Sequence, residues 1–161
     1  MKISKYRQWG IQIYWLLAML YWEVLTHMGM FGRLDSKFIY ALGFSAALAL
    51  AGGTLVSFLP SKAVLPVSAF LSVVVMVLYG SQMVYCFIFG TPYSVSQIGL
   101  GADAVTSFWR ETLHSMQEHL PWLLAMLAPL ALLLWMHRAG FLQKPNRTCR
   151  TCALALALGL T

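Results

Sequence analysis

Residues 11–31 read IQIYWLLAMLYWEVLTHMGMF. Apart from Gln12, Glu23, Thr26, His27 and Gly29, every side chain in this stretch is aliphatic, aromatic or methionine. A helix rises about 1.5 Å per residue, so a run of this length crosses a hydrocarbon core of about 30 Å. With flanking Gly10 it is the first of several such runs. The second extends from about Phe38 to Leu59 and stops at Pro60. The third extends from about Val64 to Phe89, with Pro66 expected in its first turn and Gly90-Thr91-Pro92 closing it. The fourth is LPWLLAMLAPLALLLWM, Leu120 to Met136, with Pro121 in its first turn, where a missing N–H costs little. CALALALGLT, 152–161, reads as the opening of a fifth, since ten residues reach only about 15 Å.

Composition agrees. Of 161 residues 60% are hydrophobic and 10% charged, and the mean hydropathy is +0.71. A soluble domain carries about 25% charged residues, so this chain lacks the polar surface to stay in water. Disorder and a disulfide scaffold are excluded by the apolar content and the three cysteines. The expectation is an all-α, polytopic transmembrane helix bundle in one domain, 1–161, with four full spans plus the start of a fifth.

The basic residues set an orientation. With the N-terminus cytoplasmic, Lys2, Lys5, Arg7, Lys62, Arg138, Lys144, Arg147 and Arg150 lie inside, and only Arg33, Lys37 and Arg110 lie outside. The first run is longer than a signal-peptide core of about 7–15 residues and no A-x-A site follows, so it reads as an anchor. Residues 90–119 are then extracytoplasmic. Within them Val105, Phe108, Trp109, Thr112, Leu113, Met116 and Leu120 recur every three or four residues, opposite Asp103, Ser107, Arg110, Glu111, His114, Gln117 and Glu118. That pattern predicts an amphipathic interfacial helix over about 102–118. It is either a passive re-entry helix or a platform for lipid headgroups, with Trp109 and Arg110 as its contact points.

Other features divide between packing and function. Ala41, Ser45, Ala49 and Gly53 form a small-residue stripe along which a second helix, in this chain or another, can approach closely. Pro129 removes a backbone donor from the fourth run and predicts a kink. Trp9, Tyr14 and Trp15 are expected as interfacial anchors inside, Tyr85, Phe87, Phe89 and Trp122 outside, and Trp135 inside. Glu23 is the only carboxylate inside a span, with His27 one turn on. An ionisable residue at such depth is expensive and invites a functional reading. The two could share a proton or a hydrogen bond, Glu23 could clamp Gln82 or Ser81 of the third span, or the pair could receive a polar headgroup. Cys149 and Cys152 have C-x-x-C spacing but no further zinc ligands nearby apart from His137, and no βαβ context. No catalytic motif and no metal site are read in the chain, and nothing points to nucleic acid.

Two stretches carry a family resemblance. YWEVLTHM (residues 21–28) resembles the segment of the lipoteichoic acid synthase family in which a membrane glutamate is followed four residues later by arginine. Glu23 matches the glutamate and His27 stands in the arginine's place. FGTPYSVSQIGLGADAVTSFW (Phe89 to Trp109) resembles that family's FGTP-type turn, glycine-rich stretch, aspartate and aromatic-bearing helix. The resemblance implies the N-terminal membrane domain of a bacterial, cell-membrane phosphoglycerol transferase of the alkaline phosphatase/sulfatase superfamily. It further implies a catalytic domain outside these 161 residues, with a threonine nucleophile and a divalent metal, usually manganese, acting on phosphatidylglycerol at the outer face. The chain alone is then expected to be inactive. Within it, Glu23, His27, Asp103, Trp109 and Arg110 are the candidate headgroup-binding residues. Another sulfatase-like headgroup transferase, such as a phosphoethanolamine transferase, shares this architecture. A small transporter or channel subunit and a structural protein assembling through the Ala41–Gly53 stripe remain as alternatives from other classes.

Overall fold

A computed structural model of the chain describes residues 9–36, 38–91 and 109–142. Six helices follow one another: α1 (Gly10–Phe31), α2 (Phe38–Ser57), α3 (Ser61–Phe89), α4 (Trp109–Glu118), α5 (Leu120–Ala125) and α6 (Ala128–Arg138). There is no strand among the described residues. The first half of the expected 102–118 helix, Asp103, the C-x-x-C pair and the expected fifth span lie outside the described residues.

Three segments are long and apolar enough to cross a membrane: Phe38–Ser57, Ser61–Phe89, and α5 with α6 taken together as Leu120–Arg138. The 22-residue α1 has the length, but its tyrosines, tryptophans, Gln12, Glu23 and His27 keep it below the hydropathy of the other three. Its surroundings explain how it tolerates them. α1 packs against α2, α3 and α6, and Ile11, Tyr14, Trp15, Ala18, Met19 and Trp22 form the heart of the core. The helix least suited to lipid is the one most enclosed by protein.

The outer surface has the opposite character. Ile39, Tyr40, Phe44, Leu48 and Leu55 on α2, and Phe70, Val77 and Leu78 on α3, are all exposed. In water such a continuous apolar exterior would be an aggregation liability. In a bilayer it is the expected solvent-facing side, because lipid tails are as apolar as leucine.

Close approach of α1 to α2 follows from the small residues. Ser45, Ala49 and Gly53 are buried, and a Cβ on Gly53 would stand 3.2 Å from the Gln12 Cα. Within this chain the stripe therefore receives α1. At the other edge of α1, Gly10 is covered so closely by the Phe141 carbonyl that a Cβ there would collide with it. Left-handed glycines end two helices: Gly32 (φ 65°) returns its N–H to the Met28 carbonyl, and Gly90 (φ 68°) to that of Cys86. Asp35 receives the Phe38 N–H at 2.9 Å and so starts α2.

Three expectations are corrected. Tyr14 and Trp15 are not interfacial anchors: they are 0% and 4% exposed, and the Tyr14 hydroxyl meets Ser72 Oγ at 2.6 Å. A tyrosine whose hydroxyl finds a partner can enter a membrane core as readily as an interface. Pro66 is not in the first turn, because α3 begins at Ser61 immediately after Pro60. The carbonyl that Pro66 deprives of a donor belongs to Lys62, at the exposed end of the helix, so water can replace it. Finally, the Leu120–Arg138 segment does not merely kink at Pro129 but divides into α5 and α6 across Met126–Leu127. Pro129 cannot donate to the Ala125 carbonyl, and the Leu130 N–H turns to Leu127 instead of Met126. α1 supplies the missing donors: the Tyr21 hydroxyl reaches the Ala125 carbonyl at 2.9 Å, and Trp22 Nε1 reaches that of Met126 at 3.0 Å. This is how a broken membrane helix remains affordable, since a neighbour satisfies the freed backbone.

Candidate functional site

The same turn of α1 that holds Tyr21 and Trp22 presents Glu23 on its other side. Glu23 Oε2 accepts a hydrogen bond from Ser45 Oγ of α2 at 2.7 Å and another from the Tyr79 hydroxyl of α3 at 2.7 Å. The two hydroxyls lie 3.4 Å from each other. Three helices thus converge on one carboxylate oxygen. Two O–H donors offset much of the cost of removing the group from water, at roughly 1.5–3 kcal/mol for a hydrogen bond to a charged partner.

Oε1 takes no hydrogen bond from the described residues, and Glu23 lines a cavity of about 320 Å³ together with Thr26, His27, Gln82 and Tyr79, with apolar walls including Phe44 and Leu48. Thr26 is 5% exposed, and its hydroxyl is buried with no partner among the described residues. The cavity uses the last turns of α1, the first turns of α2 and the last third of α3, so it lies toward the end of the bundle from which residues 90–119 emerge. Three of its lining residues, Phe31, Phe44 and Leu48, are 48%, 62% and 48% exposed, so the cavity is open to the outside of the bundle.

The proposed partners of Glu23 sort differently from the sequence expectation. His27 lines the same cavity, but its ring packs against Phe31 and Phe38, with centroids 4.8 and 4.4 Å away. It makes no hydrogen bond with Glu23. Ser81 does not clamp Glu23 either: its hydroxyl donates to the Leu78 carbonyl. Gln82 faces the cavity without bonding to the carboxylate. Tyr79 and Thr26 were not expected as site residues, and Ser45 was expected only as a small packing residue. The only local hint for Tyr79 is that it begins a polar run, YGSQ, inside an otherwise aliphatic helix.

Trp109 and Arg110 are not brought to this cavity. They stand exposed at the start of α4, with the guanidinium carbon 5.3 Å from the indole centroid. α4 packs on the end of α3 through buried Ser115, next to His119, whose ring stacks on Phe87 at 3.8 Å. Trp109, Leu113 and Met116 remain exposed. Among the described residues no group of three His, Cys, Asp or Glu side chains gathers to hold a metal ion.

Comparison with known protein families, with characterised proteins and with solved structures finds no match to this chain.

Proposed function

We propose that this chain is the membrane domain of a lipoteichoic acid synthase-like phosphoglycerol transferase, working at the outer face of a bacterial cell membrane. In this reading α1 joins the three apolar segments as a fourth span, shielded by them, and α4 is the visible part of an interfacial helix. The observation that carries the proposal is the position of Glu23. The residue on which the resemblance to that family rests is also the one around which α1, α2 and α3 assemble their polar site. The second stretch of resemblance leaves from the end of α3 and arrives at the start of α4, beside the same end of the bundle. Charge supports the orientation, with eight basic residues against three on the side assigned to the cytoplasm.

The role of such a domain is positional. An enzyme acting on a lipid headgroup gains from being held at the membrane surface, where the effective concentration of substrate is high. The exposed Trp109, Leu113 and Met116 would lie among headgroups, with Arg110 able to meet a phosphate. The resemblance puts the group-transfer chemistry itself, and its manganese, in a separate domain.

The test is topological. In a background with Cys86, Cys149 and Cys152 replaced by serine, a cysteine introduced at Tyr93 is expected to react in intact cells with a membrane-impermeant maleimide. A cysteine introduced at Lys62 is expected to react only after lysis. The reverse pattern would place the 90–119 connection in the cytosol and overturn the proposal.

A further inference from the structure

We propose that the cavity between α1, α2 and α3 binds a primary ammonium group, presented by a lipid headgroup entering sideways past Phe44 and Leu48 of α2. This goes beyond the preceding reading and shares with it only the immersion of the bundle in lipid.

The argument begins with charge. Glu23 is the one acidic group lining the cavity, and no lysine or arginine lines it among the described residues. His27 is turned to the rings of Phe31 and Phe38 rather than to the carboxylate. Ser45 and Tyr79 satisfy one carboxylate oxygen but carry no charge. A half-buried acid with hydrogen bonds but no counter-charge favours a cationic group at its free oxygen over an anionic one.

The number of acceptors then narrows the class. A primary ammonium has three N–H donors and no acceptor. Two acceptors on residues that line the cavity are not engaged by the described residues, Glu23 Oε1 and the Gln82 side-chain carbonyl, and water can take the third donor. Tyr79, Phe31 and Phe44 also line the cavity, and a cation resting over any of their rings would gain cation–π attraction. A quaternary ammonium could use those rings but would leave both acceptors unmet.

The opening indicates the source. Phe44 and Leu48 line the cavity and continue onto the apolar exterior of α2. An acyl chain can lie along them while the headgroup turns inward. A soluble amine would have to arrive through lipid or from the bundle end.

The full chain, in nanodiscs of phosphatidylcholine containing a minor fraction of phosphatidylethanolamine, tests this by native mass spectrometry of co-retained lipid. Phosphatidylethanolamine should be retained over phosphatidylcholine by roughly tenfold, the weight of one good charge-assisted contact. Glu23→Gln keeps an acceptor oxygen for Ser45 and Tyr79 and should erase the preference. Leu48→Trp, on the lipid side of the mouth, should erase it too without touching the acceptors. Free ethanolamine is the second arm. If it displaces phosphatidylethanolamine, or binds Leu48→Trp while the lipid does not, the ammonium site stands and its source is resolved. Equal retention of both lipids, or a preference unchanged in Glu23→Gln, overturns the proposal. The maleimide result does not bear on it, so the two readings can fail separately.

Discussion

Glu23 is where individual side chains carry most of the interpretation. Its Oε2 receives two hydroxyls from two other helices, so its removal does more than delete one bond. Glu23→Ala leaves both Ser45 and Tyr79 without their acceptor, whereas Tyr79→Phe leaves the carboxylate one donor and the helix its shape. Tyr79→Phe is expected to cost about 1 kcal/mol and Glu23→Ala at least twice that, measured by unfolding in mixed detergent–lipid micelles. Equal losses would mean that the hydroxyls find other partners and that Glu23 does not organise the three helices. Little of this was legible residue by residue. Glu23 stands out as the lone acid in a span, but Ser45 is 22 positions away and Tyr79 is 56. No periodicity marks which tyrosine of an apolar helix will turn to a carboxylate. Tyr14 shows the same ambiguity from the other side, since its position near a span end fitted an anchor while its hydroxyl was spoken for by Ser72.

Between helices, the decisive features are places where backbone is exposed or approached. Gly53 sits against the Gln12 backbone, while a Cβ on neighbouring Gly52 would meet nothing within 4 Å. Gly53→Val should therefore destabilise the bundle by roughly 1–3 kcal/mol, and Gly52→Ala should be neutral or stabilising by up to about 1 kcal/mol through helix propensity. The same unfolding assay separates the two adjacent glycines. The divided Leu120–Arg138 segment makes a second prediction. Pro129→Ala restores an N–H for the Ala125 carbonyl, which the Tyr21 hydroxyl now serves. Tyr21→Phe should then cost less in the Pro129→Ala background than in the wild type, with a coupling of about 0.5–1 kcal/mol in a double-mutant cycle. Strict additivity would deny the link between α1 and the break. Here the sequence was informative in part. Proline announces a lost donor wherever it stands in a helix, so the disturbance at Pro129 was readable. That the neighbouring helix would fill both freed carbonyls was not, because Tyr21 and Trp22 look like any other membrane aromatics until packing aims them.

For the molecule as a whole, the helical bundle was legible from length and hydropathy alone, because a bilayer imposes a minimum run and forbids unpaired backbone. Span limits at 38–59 and 64–89 fall within a few residues of α2 and α3. The arrangement of the helices was not legible, since uniform apolarity gives α2 and α3 no contrasting face to read. The exterior supplies a test that distinguishes lipid from water. Val77 is 57% exposed near the middle of α3, where an arginine would be harmless on a soluble protein. In a membrane-insertion assay Val77→Arg is expected to cost about 2.5–3.5 kcal/mol of insertion free energy. Unchanged insertion would contradict a lipid-facing α3.

The bonds from Tyr21 and Trp22 to the broken span each join positions 104 residues apart. At about 5–20 residues per second, a ribosome needs roughly 5–20 s to deliver the second partner after the first has emerged. Throughout that interval α1 must wait in the membrane or its insertion machinery with those two donors unanswered. Its sealing thus depends on a segment made much later, and errors in the broken helix would be felt in α1.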